Sequence, residues 1–167
     1  RLFHEMKQGI HKCTKSQYSE IASIGIDTWG VDFGLLDDAG RLLGNPYHYR
    51  DAQTQGIVEK AFEIVPSTQI YEKTGIQFLE INSLIQLLAM KLNNVSILDK
   101  AETLLFAPDL LRYFLTGEKS TEYTIASTSQ MLDANSGDWA LDLIERFDIP
   151  TKILTQIVDA GTIAGKL

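Results

Sequence analysis

The sequence predicts an α/β fold, and three features carry that reading. Apolar residues alternate with polar ones at Ala22, Ile24 and Ile26 and again at Val31, Phe33 and Leu35, the period of half-buried strands. Elsewhere they fall three and four apart, as at Leu2, Phe3, Met6, Ile10 and Cys13, the period of an amphipathic helix. Both patterns are intermixed along 167 residues, enough for one domain with its own core, and no repeat, low-complexity tract or linker interrupts them.

Taken in order, the opening helix runs from Leu2 to about Ser16, and a strand begins at Ile21. Asp37-Asp38-Ala39-Gly40 is a hairpin turn whose glycine supplies positive φ, with Arg41-Leu42-Leu43 as the return strand. Residues 47–50 follow Pro46 as a strand or extended piece. After Asp51 the pattern turns helical through Val58, Phe62 and Val65 until Pro66 stops it, and Ser67 caps a short helix containing Ile70 and Tyr71. A mixed loop over 75–83 feeds a helix with Leu84, Leu87, Leu88 and Leu92 on its buried side. Residues 103–106 are a short apolar connection or strand; Pro108 takes the first position of a helix over 109–115, closed by Gly117. Residues 121–129 are rich in Thr and Ser and poor in helix propensity, opening on a capped turn. Asp138 caps a helix over 139–147, and Pro150 leads into 152–158. The strands are expected to bunch in the first third.

Between the two alternating segments lie Asp27, Thr28, Trp29 and Gly30. A carboxylate, a hydroxyl, an indole and a glycine fill a core poorly but hold a small polar molecule well. The competing reading is a β-bulge whose Trp belongs to the core, and from this stretch alone the two are even.

Composition narrows the classes. Lys and Arg number 15 against 22 Asp and Glu, a formal charge of −7 that disfavours nucleic acid and anionic membrane. No apolar run approaches the roughly 18 residues of a membrane helix, and no signal peptide is expected. Cys13 is the single cysteine, so no internal disulfide forms and a cytoplasmic setting is expected. His4, His11 and His48 lack ligand spacing, and no metal site is expected. Residues 161–166, Gly-Thr-Ile-Ala-Gly-Lys, fail as a phosphate loop: the glycines stand too close, and Leu167 follows where Ser or Thr belongs. Asp27, Asp32 and Asp51 lie near the loops of interest. Asp27 is read as tying down neighbouring backbone N–H groups, and Asp51 as a helix cap. Tyr123 and the hydroxyls of 124–129 are read as turn chemistry rather than a polyol site. The residues alone give a polar-ligand pocket without a complete catalytic set.

Residues 23–33, Ser-Ile-Gly-Ile-Asp-Thr-Trp-Gly-Val-Asp-Phe, are followed by Tyr49-Arg50-Asp51, Gly75-Ile76-Gln77-Phe78, Pro108-Asp109, Leu115-Thr116-Gly117, Glu122-Tyr123-Thr124, Ser127-Thr128-Ser129-Gln130 and Asp138-Trp139. This ordered set resembles the FGGY carbohydrate kinase family, and within it the members that phosphorylate L-rhamnulose. It spans nearly the whole chain. Leu-Thr-Gly is a weak piece, whereas the Asp-Thr-Trp-Gly-Val-Asp-Phe and Gly-Ile-Gln-Phe strings together are specific and separate the chain from glycerol and xylulose kinases.

The resemblance implies two actin-like, ribonuclease-H-like domains with the active site between them. It implies ATP- and Mg2+-dependent phosphorylation of L-rhamnulose at its 1-hydroxyl, a step in L-rhamnose breakdown. On that pattern Gly30 makes a backbone contact to the sugar with Thr28 and Trp29 beside it, and Phe78 and Asn82 are further pocket wall. The hairpin that meets the ATP phosphates is expected before Arg1, and the catalytic aspartate and the ATP-binding domain beyond Leu167. Residues 1–167 are thus expected to be the central portion of the N-terminal, sugar-binding domain, inactive alone and binding neither ATP nor Mg2+. The partner is a small-molecule sugar, and unpaired sheet edges favour self-association of such a piece. One departure is Gln53, where the family often has Arg. Two alternatives stand: another kinase of the family acting on fuculose, xylulose or a polyol, and a non-catalytic sugar-binding or interaction module.

Overall fold

The computed structural model describes residues 1–16 and 20–166, so the expectations that touch 17–19 and Leu167 lie outside it. Helix α1 (Leu2–Thr14) buries none of its residues, and its apolar face meets the rest of the chain where Phe3 lies 5.2 Å from Phe114, ring to ring. The alternation over 21–26 does not become a strand. Among the described residues 20–29 make no backbone–backbone hydrogen bond, and Ile21 and Ile24 are exposed. Alternation says which face a strand buries once a neighbour exists, and the described chain offers this segment none.

Strand β1 (Phe33–Leu36) is buried along its whole length and later pairs antiparallel with β2 (Thr103–Phe106), Phe33 facing Phe106 and Leu36 facing Thr103. The hairpin forms as expected: Gly40 sits at φ 75, its N–H donates to Asp37 O, and the Asp37 carboxylate pairs with Arg41 at 2.8 Å. Its return arm is only a bridge, Leu36 to Leu42. A short 3-10 turn (Ala52–Thr54), capped by the Asp51 carboxylate on Gln53 N–H, leads into α2 (Ile57–Ile64). Residues 47–50 are not a strand.

In α3 (Ser67–Thr74) the cap position is held by Pro66 with no side-chain bond, so Ser67 is a helical residue and not the cap. Helix α4 (Ser83–Leu92) is the centre of the core. Residues 83–90 are all buried, packed against α2 and the 3-10 turn before it, while Leu92 is exposed. A helix apolar around most of its circumference belongs inside. The polar exceptions, Ser83 and Gln86, have a role in the site. Helix α5 (Ser96–Lys100) was not foreseen.

Helix α6 (Ala107–Thr116) begins one residue before Pro108, which therefore occupies its second position, and ends at Gly117 with φ 79. Tyr113 ties it to the hairpin by donating to Gly40 O at 2.8 Å. Strand β3 (Thr121–Glu122) pairs parallel with β4 (Ile157–Val158), and α7 (Tyr123–Ser127) follows β3 directly. Helix α8 covers only Leu141–Arg146: Asp138 accepts from Trp139 N–H in a turn, and Trp139 bridges Leu132 instead of starting the helix. A 3-10 turn (Thr151–Ile153) precedes β4. Of the four strands among the described residues only β1 lies in the first third, so the expected bunching is not observed.

Candidate functional site

An open concavity of about 1040 Å3 is bounded by the extended residues 21–30 and 160–166, by one face of α6 and by α7 with Thr128 behind it. It lies at the upper end of the size range of small-molecule sites. Thr28, Trp29 and Gly30 stand together on its wall, and Asp27 joins them. The Asp27 carboxylate is exposed and makes no hydrogen bond among the described residues, contrary to the backbone-tethering role expected of it.

The wall turns sharply where it enters the core. Asp32 N–H donates to Gly30 O at 2.9 Å and the residue between, Val31, has φ 66. Such a three-residue turn with positive φ is the rarer, strained γ-turn, and Val is β-branched, the side chain least suited to it. Two buried side chains of α4 grip the turn: Ser83 Oγ donates to Val31 O at 2.7 Å, and Gln86 Nε2 reaches the same oxygen at 3.2 Å and Ile81 O at 2.8 Å. The turn separates the extended wall from β1, so that Gly30 faces out toward Thr128 while Val31 and Phe33 enter the core. A β-carbon on Gly30 would stand 3.3 Å from Thr128 Oγ1, so the backbone there approaches its neighbour more closely than most side chains tolerate.

Trp29 is 42% exposed, which sets aside the reading of it as a core residue. Its Nε1–H donates to Asp32 Oδ2 at 2.7 Å. Asp32 is buried, and burial raises its pKa above the ordinary carboxylate value. The Trp29 bond, the nearby His48 imidazole and the Tyr49 backbone N–H oppose the rise. The Asp-Thr-Trp-Gly-Val-Asp and Tyr-Arg-Asp strings therefore meet at Asp32. The sequence alone assigns Asp32 no role; its place three residues after Trp29 is the signal that the two side chains can meet. Among the described residues the Thr28 hydroxyl bonds only the Trp29 carbonyl, at 3.3 Å.

Phe78 and Asn82 are placed elsewhere. Phe78 packs edge-on against Phe62 at 4.9 Å, and Asn82 is buried, its Nδ2 donating to Gln77 O and to Gln130 Oε1. Gln130, itself at φ 64, donates on to Ile76 O. Together they pin the 75–82 loop to the start of α4 without facing the concavity. Gln53 borders a void of about 20 Å3 beneath β1, shared with Gln86 and Met90.

On the far wall Asp109 is buried beside Arg112 at 3.2 Å and accepts from Glu122 N–H. Burial pushes the Asp109 carboxyl up to about 7, with Arg112 and the Glu122 amide opposing. Glu122 caps α7 through Thr124 N–H and Ile125 N–H. The hydroxyls of Ser127, Thr128 and Ser129 all bond back to carbonyls three residues earlier, which makes them local turn chemistry as expected. Among the described residues no group of three or more His, Cys, Asp or Glu converges to hold a metal ion, and no helix is long and apolar enough to cross a membrane.

The sequence model of the FGGY family of carbohydrate kinases, N-terminal domain, matches residues 1–167. A rhamnulokinase of Oceanobacillus iheyensis is 38% identical over 167 residues, covering 100% of this chain and 35% of that protein. One of Bacteroides thetaiotaomicron is 42% identical over 166 residues, covering 99% and 34%, and one of Yersinia pestis is 48% identical over 128 residues, covering 77% and 26%. The chain thus spans about a third or less of the length of these curated relatives. Among solved structures, a gluconate kinase of Lactobacillus acidophilus superposes with a TM-score of 0.88 at 22% identity, over 97% of this chain and 33% of that one. A glycerol kinase of Plasmodium falciparum gives 0.84 at 25% identity, over 98% and 34%. The α/β fold is that of the sugar kinases.

Proposed function

This chain belongs to the FGGY family of carbohydrate kinases, and we propose that it is the sugar-binding part of a kinase that phosphorylates L-rhamnulose at its 1-hydroxyl with ATP and Mg2+. The observation that carries the reading is the Gly30–Asp32 turn. It carries the string most specific to the L-rhamnulose-phosphorylating members and sets Thr28, Trp29 and Gly30 side by side on the concavity. The relatives named rhamnulokinase, at 38% to 48% identity, support the choice of sugar.

In this reading the Gly30 backbone meets the sugar, because the absent side chain lets a hydroxyl come to main-chain distance. The exposed Trp29 ring gives the C–H surface of the sugar an apolar wall, and Thr28 offers a hydroxyl nearby. Phe78 and Asn82 act by holding the 75–82 loop against α4. ATP supplies the phosphoryl group. We place the nucleotide site and the aspartate that accepts the sugar proton outside residues 1–167. Residues 1–167 alone are then inactive. The exposed, free Cys13 accords with a cytoplasmic enzyme.

The test is turnover by the full-length protein from which the chain comes, read as ADP release with ATP and Mg2+ against L-rhamnulose, L-fuculose, D-xylulose and glycerol. The highest kcat/KM is expected for L-rhamnulose. A higher value for another acceptor would reassign the sugar, and no turnover on any would favour a binding module.

A further inference from the structure

Trp29 is the largest side chain on the wall, and its only hydrogen-bond donor points away from solvent. An exposed indole ordinarily gives its N–H to water; here the N–H is taken by Asp32 Oδ2 at 2.7 Å, although 42% of the residue is exposed. Asp32 is 3% exposed, and its second oxygen, Oδ1, makes no hydrogen bond of good geometry among the described residues, although the Tyr49 backbone N–H and the His48 imidazole lie near the carboxylate and favour its charged form. A buried carboxylate with an unfilled oxygen is costly to a fold, and such groups persist where they serve a site. The bond it does make is charge-assisted and short, which fixes ring orientation better than a neutral contact does. The indole is held at both ends: its backbone leads into the Gly30–Asp32 turn, and its far edge is bonded to the residue that closes that turn.

We propose that Asp32 is a positioning residue for the sugar, acting through Trp29. It turns the indole so that the ring face, with no free N–H, forms the wall met by the C–H surface of a ketose. This rests on the reading that residues 28–30 line the sugar site. Asp32 itself, buried beneath the turn, touches no substrate. The arrangement selects for an acceptor that presents an apolar face to the ring and offers no polar reward at that edge, since the donor there is already bonded.

The test uses the full-length enzyme and four variants, D32N, D32A, W29F and W29F/D32A. Asn keeps an oxygen that accepts from the indole, and Ala keeps none. D32A is expected to raise the ketose KM about tenfold or more, the usual size of a lost hydrogen bond to a charged group, while kcat and the ATP KM stay within about twofold. D32N should stay within about threefold of wild type. With W29F as background, adding D32A should change KM no further, the sign of two residues acting as one unit. A spectroscopic reading comes from protein labelled with 15N-tryptophan, assigned by the signal missing in W29F. The Trp29 Nε1–H should exchange slowly in wild type and D32N, and fast in D32A. An active enzyme whose ketose KM ignores D32A, or rises equally with and without Trp29, overturns the positioning role. A fast-exchanging indole in wild type overturns it too. A full-length protein that phosphorylates no ketose overturns the kinase reading instead, and the exchange measurement still decides whether Asp32 holds Trp29.

Discussion

Ser83 donates its hydroxyl to the carbonyl of Val31 at 2.7 Å, joining two residues 52 positions apart. This bond explains a polar residue inside a core helix and a β-branched residue at φ 66. Strain of that kind costs on the order of 1–3 kcal/mol and persists only where the surroundings over-determine it. Helix α4 supplies the surroundings, because Ser83 and Gln86 lie on adjacent parts of its first turn and both reach Val31 O. The site wall is thereby attached to the most buried element of the fold.

Removing one grip should be tolerated and removing both should not. Ser83→Ala leaves Gln86 on the carbonyl and is expected to cost about 1 kcal/mol; Gln86→Ala costs more, because it also empties a buried volume and releases Ile81 O. With both changed, Val31 O is buried without a partner. Urea unfolding should then show a loss exceeding the sum of the single changes by about 1 kcal/mol. Strict additivity would mean that the turn holds itself.

Gly34 lies in β1 opposite Leu105, and a β-carbon there would come within 2.7 Å of Leu110 Cδ2 and 3.0 Å of Leu42 Cδ1. Gly34→Ala should therefore destabilise despite the better strand propensity of alanine, by about 1–3 kcal/mol, the usual penalty of overpacking. The thermal midpoint of the chain measures it. Gly34→Ala with Leu110→Val should recover part of the loss by making room.

Helices α1 to α4 and α6 were the legible part of this fold, whereas α5 had no expectation and α7 forms in a stretch expected to be poor in helix. The apolar spacing of the legible helices is local, and Gly117 marks an end that the structure keeps at φ 79. Residues 21–26 carry an equally clear alternation and form no ladder, because a strand depends on a neighbour that its own sequence does not specify. Trp139 misled for a related reason. Next to an acidic residue it looked like a helix start, yet it bonds Thr155 O and bridges Leu132, contacts set by the remote chain. In the site, Thr28, Trp29 and Gly30 were visible as an odd grouping in a strand-like run. Asp32 as the indole's partner and the Ser83–Gln86 grip were not, because both depend on a turn angle at Val31 that no residue type announces. Phe78 and Asn82 look in sequence like pocket wall, but only packing shows that their partners are Phe62, Gln77 and Gln130.

Gly30 faces Thr128, so size at this position should act on the sugar before it acts on the fold. Gly30→Ala asks the Thr128 side chain to move by a few tenths of an ångström, and a modest rise in ketose KM is expected in the full-length enzyme. Gly30→Trp places an indole in the concavity and should raise the ketose KM about a hundredfold or abolish turnover, while the ATP KM is unchanged. A ketose KM indifferent to Gly30→Trp would remove this residue from the sugar site.

Asp109 gives the fold an unusual dependence on pH. Burial pushes its carboxyl from an ordinary 3.8 up to about 7, and the Arg112 guanidinium and Glu122 amide offset only part of that rise. The folded chain therefore binds this proton more tightly than the unfolded chain does. Its contribution to stability is fully present below the unfolded value, near pH 4, and is lost as pH rises through about 7, a change of order 4 kcal/mol across the window. Carboxylates of the opposite kind mask this in the whole chain. Asp37, held low by the Arg41 backbone N–H, and Asp133, held low by the Lys73 ammonium, contribute stability that is lost as pH falls. Comparison with Asp109→Asn isolates the single group, because Asn keeps an oxygen for Glu122 N–H and has no charge at any pH. Between pH 4 and 7, wild type should lose unfolding free energy relative to the variant, and the difference should level off above pH 8. A difference that runs the other way, with wild type gaining on the variant as pH rises, would mean that the 3.2 Å pairing with Arg112 outweighs desolvation and that Asp109 is charged in the folded chain throughout.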